Sequence, residues 1–139
     1  MKELERGIDE GSQGSLISEL TKHPLGIHWT DNPETSAYFA QPHKYDEDRL
    51  PVSHPLSETQ FATIIHGRVA SKNIVKEDSP EWKSLAKTHH IYGHDAEDEI
   101  TVRPNAKVKV VGLERKKHST SGKERTRMVR FNPPRELKA

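Results

Sequence analysis

Two glutamates, Glu97 and Glu99, stand at the mouth of an alternating run, Glu97-Asp98-Glu99-Ile100-Thr101-Val102. A Pro104-Asn105 turn and a second alternating run, Ala106-Lys107-Val108-Lys109-Val110-Val111, follow it. If the first run is a strand, side chains at i and i+2 share one face about 7 Å apart. Both carboxylates then project together from a strand end, where a pocket can collect them. Carboxylates this close push their pKa values apart, which suits one of them to act as a base. The same spacing fits a solvated acidic turn leading into a hairpin, and Glu3/Glu5, Asp46/Asp48 and Asp95/Glu97 repeat it. The nine histidines raise the question of a metal. His90 and His94 are four apart, but Gly93 and the turn composition argue against a helix that would align them. No cysteine supports them, so no metal is expected.

Positioning these residues requires strands on both sides of a few short helices. Residues 3–8 read as a strand with Arg6 at its exit. A helix is expected over Ser15–Leu20, with Leu16, Ile17 and Leu20 on one face, Ser12 or Ser15 as its cap and Pro24 as its stop. Gly26-Ile27-His28-Trp29-Thr30 reads as a short strand. Asp31-Asn32-Pro33 is a helix start, an Asx cap with proline in the first turn, and the helix carries Ala37, Tyr38, Phe39 and Ala40. Residues 41–58, with His43, His54 and three prolines, read as a long polar loop. Phe61–Val69 is rich in β-branched residues and reads as a strand. Ser79-Pro80-Glu81-Trp82 repeats the cap-plus-proline signal, and residues 89–94 form a turn-rich lead-in to the glutamates. After Leu113 the apolar pattern stops, although Met128–Phe131 has the makings of a late edge strand. Strands outnumber helices, so an α+β domain with an antiparallel sheet is expected.

Glu-x-Glu, an aliphatic strand, a Pro-containing turn and a second strand together resemble the last motif of the ADP-ribosyltransferase fold, in its arginine–serine–glutamate class. Leu4-Glu5-Arg6-Gly7-Ile8 resembles the first motif of that class, an Arg-Gly ending the first strand. Leu25-Gly26-Ile27-His28-Trp29-Thr30-Asp31, followed by Asn32–Ala40, resembles the second, a Ser/Thr-bearing strand leading into a helix. The resemblance covers roughly residues 3–113. It implies split antiparallel sheets with peripheral helices. It also implies a mono-ADP-ribosyltransferase, small and toxin-like or phage-type, that takes NAD as its substrate. Such an enzyme cleaves the nicotinamide–ribose bond and transfers ADP-ribose to a side chain of a host or other cellular target protein.

By this resemblance Glu99 stabilises positive charge on the ribose in an oxocarbenium-like transition state, as in glycoside hydrolysis. Glu97 orients or deprotonates the acceptor. Arg6 holds the phosphates of NAD through bidentate hydrogen bonds, and Gly7 lets the backbone approach the nicotinamide amide. Thr30 takes the place of the serine that positions the catalytic glutamate. The chain departs from the pattern in two places. Glu5 stands where an aromatic often precedes the Arg-Gly, and the Ser-Thr-Ser segment reads His28-Trp29-Thr30. His28 could replace the lost hydrogen bond or be a packed, half-exposed strand residue. Tyr38 and Phe39 could stack on nicotinamide or fill the core beneath their helix.

At 139 residues the chain suits one domain with a modest core. Hydrophobic and charged residues each make up 31%, and mean hydropathy is −0.91. Part of the chain is therefore expected to contribute no core. The net charge of +1 hides a segregation. Residues 115–139 carry nine Lys/Arg and two Glu, a charge of +7, which leaves −6 on residues 1–114. The expected division is a domain over 1–114 and a basic, flexible tail over 115–139 that could meet an anionic partner, nucleic acid or acidic protein. No apolar run approaches the ~20 residues of a membrane span, so no membrane partner is expected. A cytoplasmic protein is expected, in the host cytoplasm if phage- or toxin-encoded. Two other readings stand beside the enzyme: an inactive protein of the same fold acting as a binding or assembly module, and a nucleic-acid-binding protein acting through its tail.

Overall fold

The computed structural model describes residues 1–11, 24–40, 60–118 and 124–139. The side chains of residues 8–11, 38–40, 60–62, 96–97, 116–118 and 124 lie outside that description. The helix expected at Ser15–Leu20 and the polar loop of residues 41–58 also fall outside it.

The chain runs β1 (Lys2–Gly11), β2 (His28–Thr30), α1 (Pro33–Ala40) and β3 (Gln60–Val69), then a single 3-10 turn at Ser71–Asn73. It continues through α2 (Pro80–Ala86), α3 (His94–Glu97), β4 (Glu99–Thr101), β5 (Lys107–His118) and β6 (Glu124–Lys138). Both cap-plus-proline signals coincide with helix starts. Asn32 Oδ1 accepts from the Glu34 amide at 3.0 Å ahead of α1. Ser79 Oγ accepts from the Trp82 amide at 3.1 Å ahead of α2, so each side chain satisfies an orphan N–H of the first turn.

The six strands form one sheet in the order β4-β2-β1-β3-β5-β6, every neighbouring pair antiparallel. With few helices beside it, the architecture is broadly α+β. Where split sheets were expected, the described strands hydrogen-bond into one. The weakest joint lies between β1 and β2, which are matched only through Glu5 and Thr30. β1 and β3, by contrast, run together from Lys2 to Gly11.

Alternation sorts the side chains onto two faces. On one face Leu4, Trp29, Ile65, Val69, Ile100, Val108, Val110 and Leu113 build the core, joined by Leu25, Val102 and Ala139. Trp29 is the largest fully buried side chain, 2% exposed, and its indole N–H donates to the Gly26 carbonyl at 2.9 Å. Gly67 on β3 lets Trp29 and Val108 close over it. A Cβ there would meet Val108 Cγ1 at 2.8 Å and the Trp29 ring at 3.3 Å. The opposite face is polar and receives helix α1, whose Ala37 packs on Ile64.

The expected boundary near residue 114 is corrected by the structure. Residues 115–118 continue β5, and residues 124–138 form β6, paired with β5 along both halves of its length. Val129, Phe131 and Leu137 pack against the core. The end of the strand is tied down as well. The Leu25 amide donates to the Lys138 carbonyl at 2.8 Å, and the amides of Asn105 and Ala139 bond across to Ala139 and Ala106 at 3.0 and 2.9 Å. An edge strand needs apolar residues only where it touches the core. A segment rich in Lys and Arg can therefore be regular structure with few apolar positions.

Removing residues 124–139 should thus destabilise the whole fold. Loss of three partly buried apolar side chains, each worth about 1–2 kcal/mol, approaches a sizeable share of a small domain's stability. Thermal unfolding followed by circular dichroism should show a lost or strongly lowered transition. An unchanged melting temperature would mean that β6 is dispensable.

Candidate active site

The outer strands β4, β2 and β1 bring together residues that lie far apart in sequence. Thr30 stands opposite Glu99 on one side and Glu5 on the other, and His28 stands opposite Thr101. Residues directly opposed in an antiparallel ladder share a face. Glu5, Thr30 and Glu99 therefore form one row, with His28 and Thr101 in the next.

Glu99 is the best-held side chain of this group. Its Oε1 meets His28 Nδ1 at 2.7 Å, and its Oε2 accepts from the Tyr92 backbone amide at 3.1 Å. The Glu99 side chain is only 7% exposed, whereas that of His28 is 38% exposed. Burial alone pushes the Glu99 carboxyl up. The hydrogen bond from His28, the Tyr92 amide, the charge of His28 and the Thr101 hydroxyl together outweigh burial, and hold it below the ordinary carboxylate range. With Glu99 ionised, His28 Nδ1 must carry the proton of their hydrogen bond, which leaves Nε2 to solvent or a ligand.

Arg6 enters from β1. Its Nη1 donates to the His28 carbonyl at 2.6 Å. Its guanidinium lies flat against Gly26, where an added Cβ would stand 3.1 Å from Cζ. Gly26 also has a φ of +98°, so a side chain there would strain the backbone as well as crowd Arg6. Burial lowers the Arg6 pKa, and the nearby Glu99 charge acts against that shift. The two charges are therefore within electrostatic reach of each other. Among the described residues, none offers a hydrogen-bond acceptor to the buried Arg6 Nε.

A third set of contacts locks the Glu99 strand to helix α1. Asp98 sits in the left-handed region at φ 53° and ψ 27°, closing α3. Its Oδ2 accepts from Asn32 Nδ2 at 3.1 Å and from Thr35 Oγ1 at 2.9 Å. The Asn32 amide in turn donates to Thr30 Oγ1 at 3.1 Å. Asn32 thus caps α1, anchors Asp98 and occupies the Thr30 hydroxyl. Deeper on the same face, Glu5 Oε1 meets His66 Nδ1 at 2.9 Å, and Glu5 Oε2 lies 2.9 Å from the buried Ser36 hydroxyl of α1. Glu114 approaches the other His66 nitrogen at 3.6 Å.

Compared with known proteins, the chain matches no family model, no curated protein and no solved structure.

The residues singled out from sequence fall into three groups. Arg6, His28 and Glu99 are brought together, and Gly7 follows Arg6 on β1 opposite Ile64. Thr30 is in the same row, but its hydroxyl serves the α1 cap and His28 makes the direct contact with Glu99. Glu97 does not share a strand face with Glu99. It ends α3, and the left-handed Asp98 separates the two. The side chains of Glu97, Tyr38 and Phe39 lie outside the described residues. Sequence reasoning missed Gly26, Asn32, Asp98 and the Tyr92 amide as parts of the site. The Asx cap was a signal for Asn32, yet its second partner, 66 positions away, has no local signature.

A depressed carboxyl pKa stabilises the fold above the unfolded value, and that stabilisation is lost as pH falls through the folded value. In urea unfolding at several pH values, the native chain should be more stable than Glu99→Gln near neutrality. The gap should close as pH drops below about 4. A constant gap across that range would show that Glu99 contributes shape and not charge.

Proposed function

We propose that the chain is a mono-ADP-ribosyltransferase that cleaves NAD at the nicotinamide–ribose bond and transfers ADP-ribose to a protein side chain. What carries the reading is the contact between His28 and Glu99 at 2.7 Å, with Arg6 bonded to the same residue, His28, on the adjacent strand. The Arg-Gly, His-Trp-Thr and Glu-x-Glu segments resemble three motifs of one family, and Arg6, His28 and Glu99 from them lie on strands that neighbour one another in the order β4-β2-β1.

The chemistry follows from the charges. As the bond to nicotinamide breaks, its electron pair leaves with the ring nitrogen and positive charge builds on the ribose. An ionised, positioned carboxylate beside that carbon lowers the barrier. Glu99 is suited to this, because its pKa is held low and both of its oxygens are oriented. His28 acts as a positioning residue, taking over the contact with Glu99 that the resemblance assigns to Thr30. Arg6 would hold the phosphates through the part of its guanidinium not engaged by His28. By the same resemblance Glu97 would act on the acceptor.

Two isosteric substitutions separate the roles. Glu99→Gln should lower NAD hydrolysis by roughly 100- to 1000-fold, since it removes only the charge. Glu97→Gln should lower label transfer from NAD to a cell lysate while slow hydrolysis by water persists. Both are measured with thermal unfolding on the same preparations. Parent-like hydrolysis by a folded Glu99→Gln protein, or no NAD cleavage by the parent, would falsify the reading.

A further inference from the structure

The far half of the β5–β6 hairpin has a feature that NAD cleavage does not use. Arg115 stands opposite Arg127, and Lys117 opposite Arg125. Directly opposed residues share a face about 5 Å apart, and like charges so placed repel. Arg125, Arg127 and Arg130 are exposed and enter no ion pair among the described residues. Of the two glutamates in residues 115–139, Glu136 meets Lys107 at the other end of the hairpin, 3.6 Å away. Glu124 stands opposite His118.

Basic side chains on an edge strand discourage pairing with other chains, and β6 is such an edge. That role does not account for Arg115, Lys116 and Lys117. They lie one strand further in, on β5, which is hydrogen-bonded to β3 and β6 on its two sides.

We propose that the far half of the β5–β6 hairpin is a binding surface for the phosphate backbone of a nucleic-acid duplex. Guanidinium groups donate in a fork that fits phosphate oxygens. Arg125 and Arg127 are two apart on one strand, about 7 Å, with Arg115 across from Arg127. The result is an array of cations that suits a polyphosphate better than a single anion. Residues 115–130 contain no Phe, Tyr or Trp. The surface therefore lacks a platform for stacking unpaired bases, which favours a duplex and backbone contact over base readout. Met128 and Val129 are the only large apolar side chains in the same stretch, too few to insert into a lipid surface.

The test is fluorescence anisotropy of a labelled DNA duplex with the full chain, across a salt series. The parent should bind at about 50 mM salt, with log K falling linearly against log salt. Arg125→Gln/Arg127→Gln should weaken binding by at least ~10-fold and reduce the slope by about 1.8, roughly 0.9 for each lost phosphate contact. Lys107→Gln/Lys138→Gln removes the same charge from the other end of the hairpin and should bind as the parent does. Arg127→Lys keeps the charge and should retain most of the affinity, and thermal unfolding of each variant verifies the fold. Three results would overturn the proposal: no binding at low salt, equal weakening by both double variants, or retention on phosphatidylserine vesicles without binding to the duplex.

Discussion

Strand β4 reaches the body of the sheet through β2, and β2 is three residues long. It meets β4 through all three of its residues but β1 through Thr30 alone. So short a ladder cannot hold its position by backbone hydrogen bonds, and side chains take over the work. Trp29 plugs β2 into the core, Arg6 grips the His28 carbonyl from β1, and Asn32 ties the end of β2 to Asp98 just ahead of β4. The segment after β3 adds support, with Ile74 bridged to Val102 and the Val75 amide donating to the Thr101 carbonyl at 2.9 Å. Because these anchors are the candidate site residues and their neighbours, fold and site depend on the same contacts.

The two faces of the sheet treat charge differently. Arg6 is part-buried on the core face among apolar side chains, where the His28 carbonyl and the field of Glu99 offset only part of the cost of desolvation. The face under α1 is built from charged and polar groups. Ser36, Glu5, His66 and Glu114 follow one another beneath the helix, and Asp98, Asn32 and Thr35 clamp its first turn. A helix docked on such groups is placed more specifically than one docked on aliphatic side chains, because each polar atom has few acceptable partners. The same density of partners keeps Glu99 ionised while only 7% of its side chain is exposed.

Local order was legible in the sequence wherever the physics is local. The caps at Asn32 and Ser79 depend on one side chain and the next few amides, and both helices begin where the sequence places them. The β-branched run of β3 and the alternation around Val108 and Val110 announced strands for the same reason. Glu99, Arg6 and His28 stood out by residue type and by their positions beside strand ends. Of residues 124–138 only Met128–Phe131 stood out as a possible edge strand, because an edge strand facing solvent needs few apolar residues, and its pairing partner β5 supplies what the rest of the segment does not show.

Long-range geometry was decided only by the tertiary structure. Periodicity assigned Glu97 and Glu99 to one strand face. Asp98, held in the left-handed region by Asn32 and Thr35 from more than sixty residues away, turns the chain between them. Sequence named Thr30 as the partner of Glu99. The ladder puts Thr30 opposite Glu99, yet the Asn32 amide takes the Thr30 hydroxyl and leaves the carboxylate to His28. Register, competition for a hydrogen-bond acceptor and the burial that tunes a carboxyl pKa all depend on which distant groups arrive together. By itself the sequence determined where strands and helices can begin, and which residues have the chemistry for a site. Which of those residues touch was settled by a three-residue strand lying between two others, since contact at that distance is a property of the sheet and not of any stretch of chain.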